Sequence, residues 1–247
     1  VGAVERCTKR SLMADTLVRL SDVSKHYNAL RPLRVQALEL KEGASIALMG
    51  LDATAAEVLM SLITGATLPD TGDVHVLGRN TASIASSDEW LTFLEQFGLL
   101  SERSVLVDQL TAEQNLAIPF SLDVEALAPD TRAQVRSLAG ELGIGSAELV
   151  VPAAQLSPLF KARLKLGRAL ALNPRVLLAE HPNAMLSADD TPAFAADLSR
   201  VVSARRLTML IVTADQTFAS AVAEEVLAIQ AATGAVKRAD GWRRWFS

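Results

Sequence analysis

Residues 46–59 read IALMGLDATAAEVL, a short apolar run that stops at Gly50 and gives way to a helix-forming run. A strand, a glycine turn and a helix in that order form the frame of a phosphate-binding loop, whose pattern is G-x-x-x-x-G-K-[ST]. Counting from Gly50, Ala55 stands at the second glycine, Ala56 at the lysine and Glu57 at the hydroxyl residue. Glycines let backbone amides wrap a phosphate, lysine reaches its oxygens and the hydroxyl serves Mg²⁺. Here the charge of the lysine is gone and a carboxylate stands where phosphate would approach. Thr54 and Glu57 also form a T-x-x-E capping box. With Thr54 as N-cap, the amides that would hold phosphate are satisfied by the helix's own side chains.

The remaining pattern is that of an α/β chain. Leu17–Leu20 and Val35–Leu40 alternate apolar with polar residues, as half-buried strands do. Ser45–Met49, Arg175–Ala179 and Thr208–Thr213 are continuous apolar runs, as in strands covered on both faces. Helical spacing follows Ala53 and recurs over 88–97, 111–118, 131–142, 159–172, 192–202 and 216–223. Antiparallel strands are expected first, then a largely parallel core sheet, with a helix-only stretch between 88 and 172. At 247 residues the chain suits one large domain. Residues 1–12 precede the tidier start at Met13 and are expected to be a disordered extension, leaving 13–247 as the domain.

Charge and composition narrow the partners. A net charge of −4 gives no reason to expect nucleic acid. One cysteine, Cys7, excludes an internal disulfide and makes a reducing cytoplasm the default. No apolar run is long enough to span a bilayer, so work at a membrane would be peripheral. The C-terminal run Gly241 to Phe246 pairs aromatic with basic residues, which suits a membrane surface or docking groove as well as packing on the domain.

Taken in order, these segments resemble the nucleotide-binding subunit of ABC transporters over about residues 17–235. Tyr27 sits where that family stacks an aromatic ring on adenine. Gly50 to Val58 takes the Walker A position, Phe97 to Glu102 the Q-loop, and Leu156-Ser157 the opening of the signature motif. Arg175 to Pro182 takes Walker B, and Ile211 to Asp215 the switch-histidine segment. The resemblance implies a P-loop NTPase-like ABC fold, with a helical, permease-contacting part over about 88–165. It also implies a permease partner, pairing with a second ATPase subunit or with a copy of itself, and a place on the cytoplasmic face of a membrane.

The family's working residues are replaced at these positions. Ser157 keeps the N-cap of the signature helix, but Pro158, Leu159 and Phe160 follow where the family has bare backbone. The Mg²⁺-associated aspartate position holds Glu180, and the catalytic glutamate position holds His181. Ala214 stands at the switch histidine, Ser187 at the D-loop aspartate, and Glu102 at the Q-loop glutamine with Gln96 and Gln109 nearby. Since both halves of a head-to-tail composite site have changed, the chain is expected to be a pseudo-ATPase with no cofactor, structural or regulatory in role. Two rivals stand beside this reading: a working ATPase that binds ATP and Mg²⁺ with unorthodox residues, and a soluble scaffold without permease. Tyr27 is read either as an adenine platform or as core packing. Glu57, Glu102, Glu180 and His181 map near the family's Mg²⁺ position, so they are either a divalent-cation site or solvated groups in an unused cleft.

Overall fold

The computed structural model describes residues 16–239. The expected extension at 1–12 and the aromatic-basic run at 241–246 lie outside them. Alternating burial in β1 (Thr16–Lys25) and β2 (Leu33–Lys41) marks strands with one wet face. They pair antiparallel, and with β4 (Thr71–Val76) and β5 (Arg79–Asn80) they form a sheet of order β2-β1-β4-β5.

The second sheet has the order β10-β9-β3-β8-β7-β6. Its β3 (Ser45–Met49), β7 (Val176–Glu180) and β8 (Thr208–Val212) are the continuous apolar runs, and they pair parallel with β6 (Phe97–Leu100) and β9 (Glu225–Ile229). Only β10 (Val236–Arg238) runs antiparallel, at one edge.

Because side chains alternate across a strand, this sheet feeds two apolar clusters. Ile46, Leu48, Val176, Leu178, Leu210 and Val212 face α1 (Ala53–Ile63) and the antiparallel sheet. Ala47, Leu177, Ala179, Met209 and Ile211 face the opposite way. That second cluster also holds α3 (Ala112–Ala117), α4 (Pro129–Glu141), α6 (Pro158–Leu170), α7 (Asp190–Arg205) and α8 (Gln216–Val222). The short α2 (Ser87–Leu94) and α5 (Ser146–Leu149) complete the α-helices among the described residues. Fully buried leucines such as Leu59, Leu164 and Leu210 each contribute about 1.5–3 kcal/mol to holding these layers together.

One expectation needs correction: the stretch 88–172 is not helix-only, because β6 lies within it and closes an edge of the parallel sheet. Its four residues include Gly98, where a Cβ would come within 2.4 Å of the Ala169 carbonyl oxygen. The glycine that lets α6 press on the strand also interrupts the strand's apolar signal at its second residue. Helix α3 opens with a true capping box, Thr111 Oγ1 accepting from the Gln114 amide while Gln114 Oε1 accepts from the Thr111 amide.

Candidate functional site

Parallel pairing brings the C-terminal ends of β3, β6, β7 and β8 to one edge of the sheet, the usual place for a ligand in such folds. The Walker A, Q-loop, Walker B and switch positions all emerge there.

At the end of β3, Gly50 turns the chain with φ +96°. Asp52, and not Thr54, is the N-cap of α1. Its Oδ1 accepts from the Ala55 amide at 2.8 Å, and its carbonyl takes the first helical bond from Ala56. The capping box expected of Thr54 and Glu57 is therefore absent. Helix α1 starts at Ala53, one residue before the expected cap, so Thr54 is already inside the helix. The Ala55 amide is thus taken by a carboxylate of the chain, whereas the expected box would have engaged the Glu57 amide instead. Ala55 and Ala56 are buried in the core, and Val58 packs against the same cluster.

Tyr27 also packs against that cluster and is half-buried. Burial first, and the nearby Asp52 carboxylate second, push its hydroxyl above the ordinary value. At the signature position Ser157 caps α6 as expected, with Oγ accepting from the Phe160 amide at 3.4 Å and Pro158 as the first helical residue. The switch position, Ala214, is exposed and carries no ring, while Asp215 next to it caps α8 through the Phe218 amide. Asp215 also accepts from Asn183 Nδ2, and Asn183 in turn accepts from the Thr213 hydroxyl, so these polar groups are committed to structure.

The centre of the edge is held by a residue the sequence reading passed over. Arg103, beyond the end of β6, forms an ion pair through Nη1 with Glu57 on α1, and its Nη2 donates to Glu180 Oε2 at 2.6 Å. The Glu180 side chain is only 12% exposed, whereas those of Arg103 and Glu57 are both 51% exposed. Burial raises the Glu180 pKa; Arg103 opposes the rise, Glu57 adds to it, and the neighbouring His181 opposes it weakly. A signal for Arg103 existed in the sequence. Two carboxylates converging on a cleft require a cation, and an arginine follows directly after the Q-loop position.

His181 has left-handed backbone, φ +43°, and its amide donates to the Val212 carbonyl at 2.8 Å. Its Nε2 is buried and has no hydrogen-bond partner. Glu102 is exposed, and its backbone carbonyl accepts from Lys165 Nζ. Glu57, Glu102, Glu180 and His181 were open to two readings, a divalent-cation site or solvated groups in an unused cleft, and the geometry lends no support to the first. Among the described residues no three His, Cys, Asp or Glu side chains converge to hold a metal ion. Arg103 has taken Glu57 and Glu180 instead. The edge also fits a magnesium nucleotide poorly: a phosphate brought to α1 would meet the Glu57 carboxylate, no lysine, and an Ala55 amide already bonded to Asp52.

A family model described as "ABC transporter" matches residues 33–184. The chain belongs to the ABC transporter family. It is similar to the methionine import ATP-binding protein MetN of Rhizobium johnstonii, 26% identical over 88% of this chain and 59% of that one. It is similar as well to the sulfate/thiosulfate import ATP-binding protein CysA of Thermosynechococcus vestitus, 28% identical over 85% of this chain and 60% of that one. The chain thus spans about three fifths of the length of these relatives. The fold is that of solved ABC cassettes. The dimeric structure of MJ0796, a bacterial ABC transporter cassette, matches with a TM-score of 0.73 at 20% identity, covering 91% of this chain and 99% of that one. CbiO1 of Clostridium perfringens, part of the transporter complex cbiONQ, matches with a TM-score of 0.74 at 18% identity, covering 90% and 87%. Among the described residues no helix is long and apolar enough to cross a membrane.

Proposed function

We propose that this ABC protein is a transporter ATP-binding-type subunit that has lost ATP hydrolysis and serves as a structural or regulatory partner of a membrane permease. The observation that carries this reading is the Arg103 bridge to Glu57 and Glu180. A working site of this class places its positive charges on the nucleotide, from a lysine and a metal ion. Here the positive charge is that of Arg103 and is spent on two carboxylates of the same cleft.

Docking on a permease is supported by a groove of about 590 Å³ between α2, β6 and α6. Leu91, Leu99, Val105 and Leu172 line it and remain exposed at 53%, 41%, 71% and 57%. Glu95, Arg103, Lys165 and Arg168 stand among them, and exposed apolar residues rimmed by polar ones mark an interaction surface. The named import proteins among the relatives support a place on the cytoplasmic face of a membrane, paired with a second ATPase subunit or a copy of this chain.

Calorimetric titration with Mg-ATP, together with a hydrolysis assay, tests the loss of activity. No saturable heat below about millimolar ATP and no hydrolysis are expected. Micromolar binding, with turnover abolished by Glu180→Ala or His181→Ala, would sink the proposal in favour of an unorthodox ATPase.

A further inference from the structure

A second cavity, of about 430 Å³, lies on the other side of the segment that follows β6, bounded by the first turns of α6 and the loop after β7. Its size is within the range of small-molecule sites. The walls are mainly apolar, from Leu100, Leu106, Ala162, Pro182, Met185 and Leu186.

The polar groups are sorted by depth. Glu102 and Asp108 are exposed, so their charges are solvated at the rim. Lys161, Lys165 and His181 are half-buried. Each ammonium carries three donors. Lys165 Nζ donates to the Glu102 carbonyl at 3.2 Å and Lys161 Nζ to the Ala154 carbonyl at 3.4 Å, which leaves donors on both. Burial lowers the Lys165 pKa, so a counter-anion there would be favourable. His181 contributes the buried Nε2 that has no partner in the chain. A buried polar atom without a partner costs free energy, which a hydrogen-bonding group brought to it would recover. The ring belongs to a residue held in left-handed backbone, a conformation that concentrates at binding sites.

We infer that this cavity binds a small amphiphile with an oxyanion head and a short apolar body, the head between Lys161, Lys165 and His181 and the body against the leucine wall. The inference is independent of whether the chain hydrolyses ATP. The carboxylate and phosphate versions of the head share this chemistry, and the test separates them.

Calorimetry of the described protein with octanoate, octyl phosphate, octanol and inorganic phosphate reads the site. Saturable binding of octanoate or octyl phosphate is expected, and the tighter of the two identifies the head. Octanol and inorganic phosphate should each bind at least about tenfold more weakly, because each lacks half of the recognition. Lys165→Met and His181→Phe should each weaken the binding of the preferred amphiphile about tenfold. Lys161→Met, further toward the helix start, provides a second lysine variant should Lys165→Met fail to fold. The inference is overturned if neither amphiphile binds saturably, if inorganic phosphate or octanol binds as well as the amphiphile, or if the folded variants keep wild-type affinity.

Discussion

Arg103 Nη2 donates to Glu180 Oε2 across 2.6 Å and so ties the segment beyond β6 to the end of β7. The carboxylate is mostly buried and the guanidinium half-exposed. Removing each partner should therefore have unequal effects. Arg103→Met leaves a charge in a poorly solvated place, which should cost about 1–2 kcal/mol, between the values for surface and buried pairs. Glu180→Gln leaves an arginine that water can solvate, and should cost less. Thermal unfolding of the two single variants and the double variant measures the coupling. Melting should fall by about 3–6 °C for Arg103→Met and by less for the double variant.

The same pair sets a pH dependence. The Glu180 pKa is raised in the folded chain, with burial outweighing the opposing arginine. A carboxyl with a raised folded pKa stabilises while protonated, and that contribution is lost as pH rises through the folded value. Glu180→Gln should thus look most favourable, relative to the parent, at neutral pH and least favourable below the ordinary glutamate range. Removing Arg103 takes away the main opposition and should steepen the parent's loss of stability between about pH 4 and 7. Denaturant titrations across that range decide it. A profile for Arg103→Met parallel to the parent's would refute the role given to the pair.

Helix α1 allows a cleaner test because two candidate caps lie close together. Asp52 makes the capping bond and Thr54 is inside the helix. Asp52→Ala should lower stability by about 1 kcal/mol, or about 2–4 °C in melting temperature. Thr54→Ala should change it by less than about 0.5 kcal/mol, as alanine is the better helix former at an exposed position. If the Thr54 substitution proved the costlier, the helix would start where the sequence motif suggested.

Much of the fold was legible because the continuous apolar runs of β3, β7 and β8 and the helix following Gly50 are strong local signals. The strand β6 was not, since four residues with a glycine in the second position leave too little period to read. In the site, Ser157 was read correctly because a serine before a proline caps a helix by local geometry alone. Thr54 misled for the same reason: its motif was locally valid, but Asp52 two residues earlier made the competing cap. Arg103 escaped because its partners are 46 and 77 residues away in sequence and only the sheet order brings them to it. A metal site at the four acidic and imidazole groups stayed open beside the reading as solvated groups for as long as that cation was missing from the count.

The exposed groove offers a test of permease docking. Val105 and Leu172 are largely open to water, so a charge at either should barely alter folding. Val105→Glu and Leu172→Glu are each expected to shift the melting temperature by about 2 °C or less. On a surface that must be dried to bind a partner, the same charge is costly. The fraction of the protein sedimenting with membranes from its native host should then fall several-fold for either variant. Wild-type protein that does not sediment with membranes at all would argue instead for a soluble scaffold, and the groove would need a different occupant.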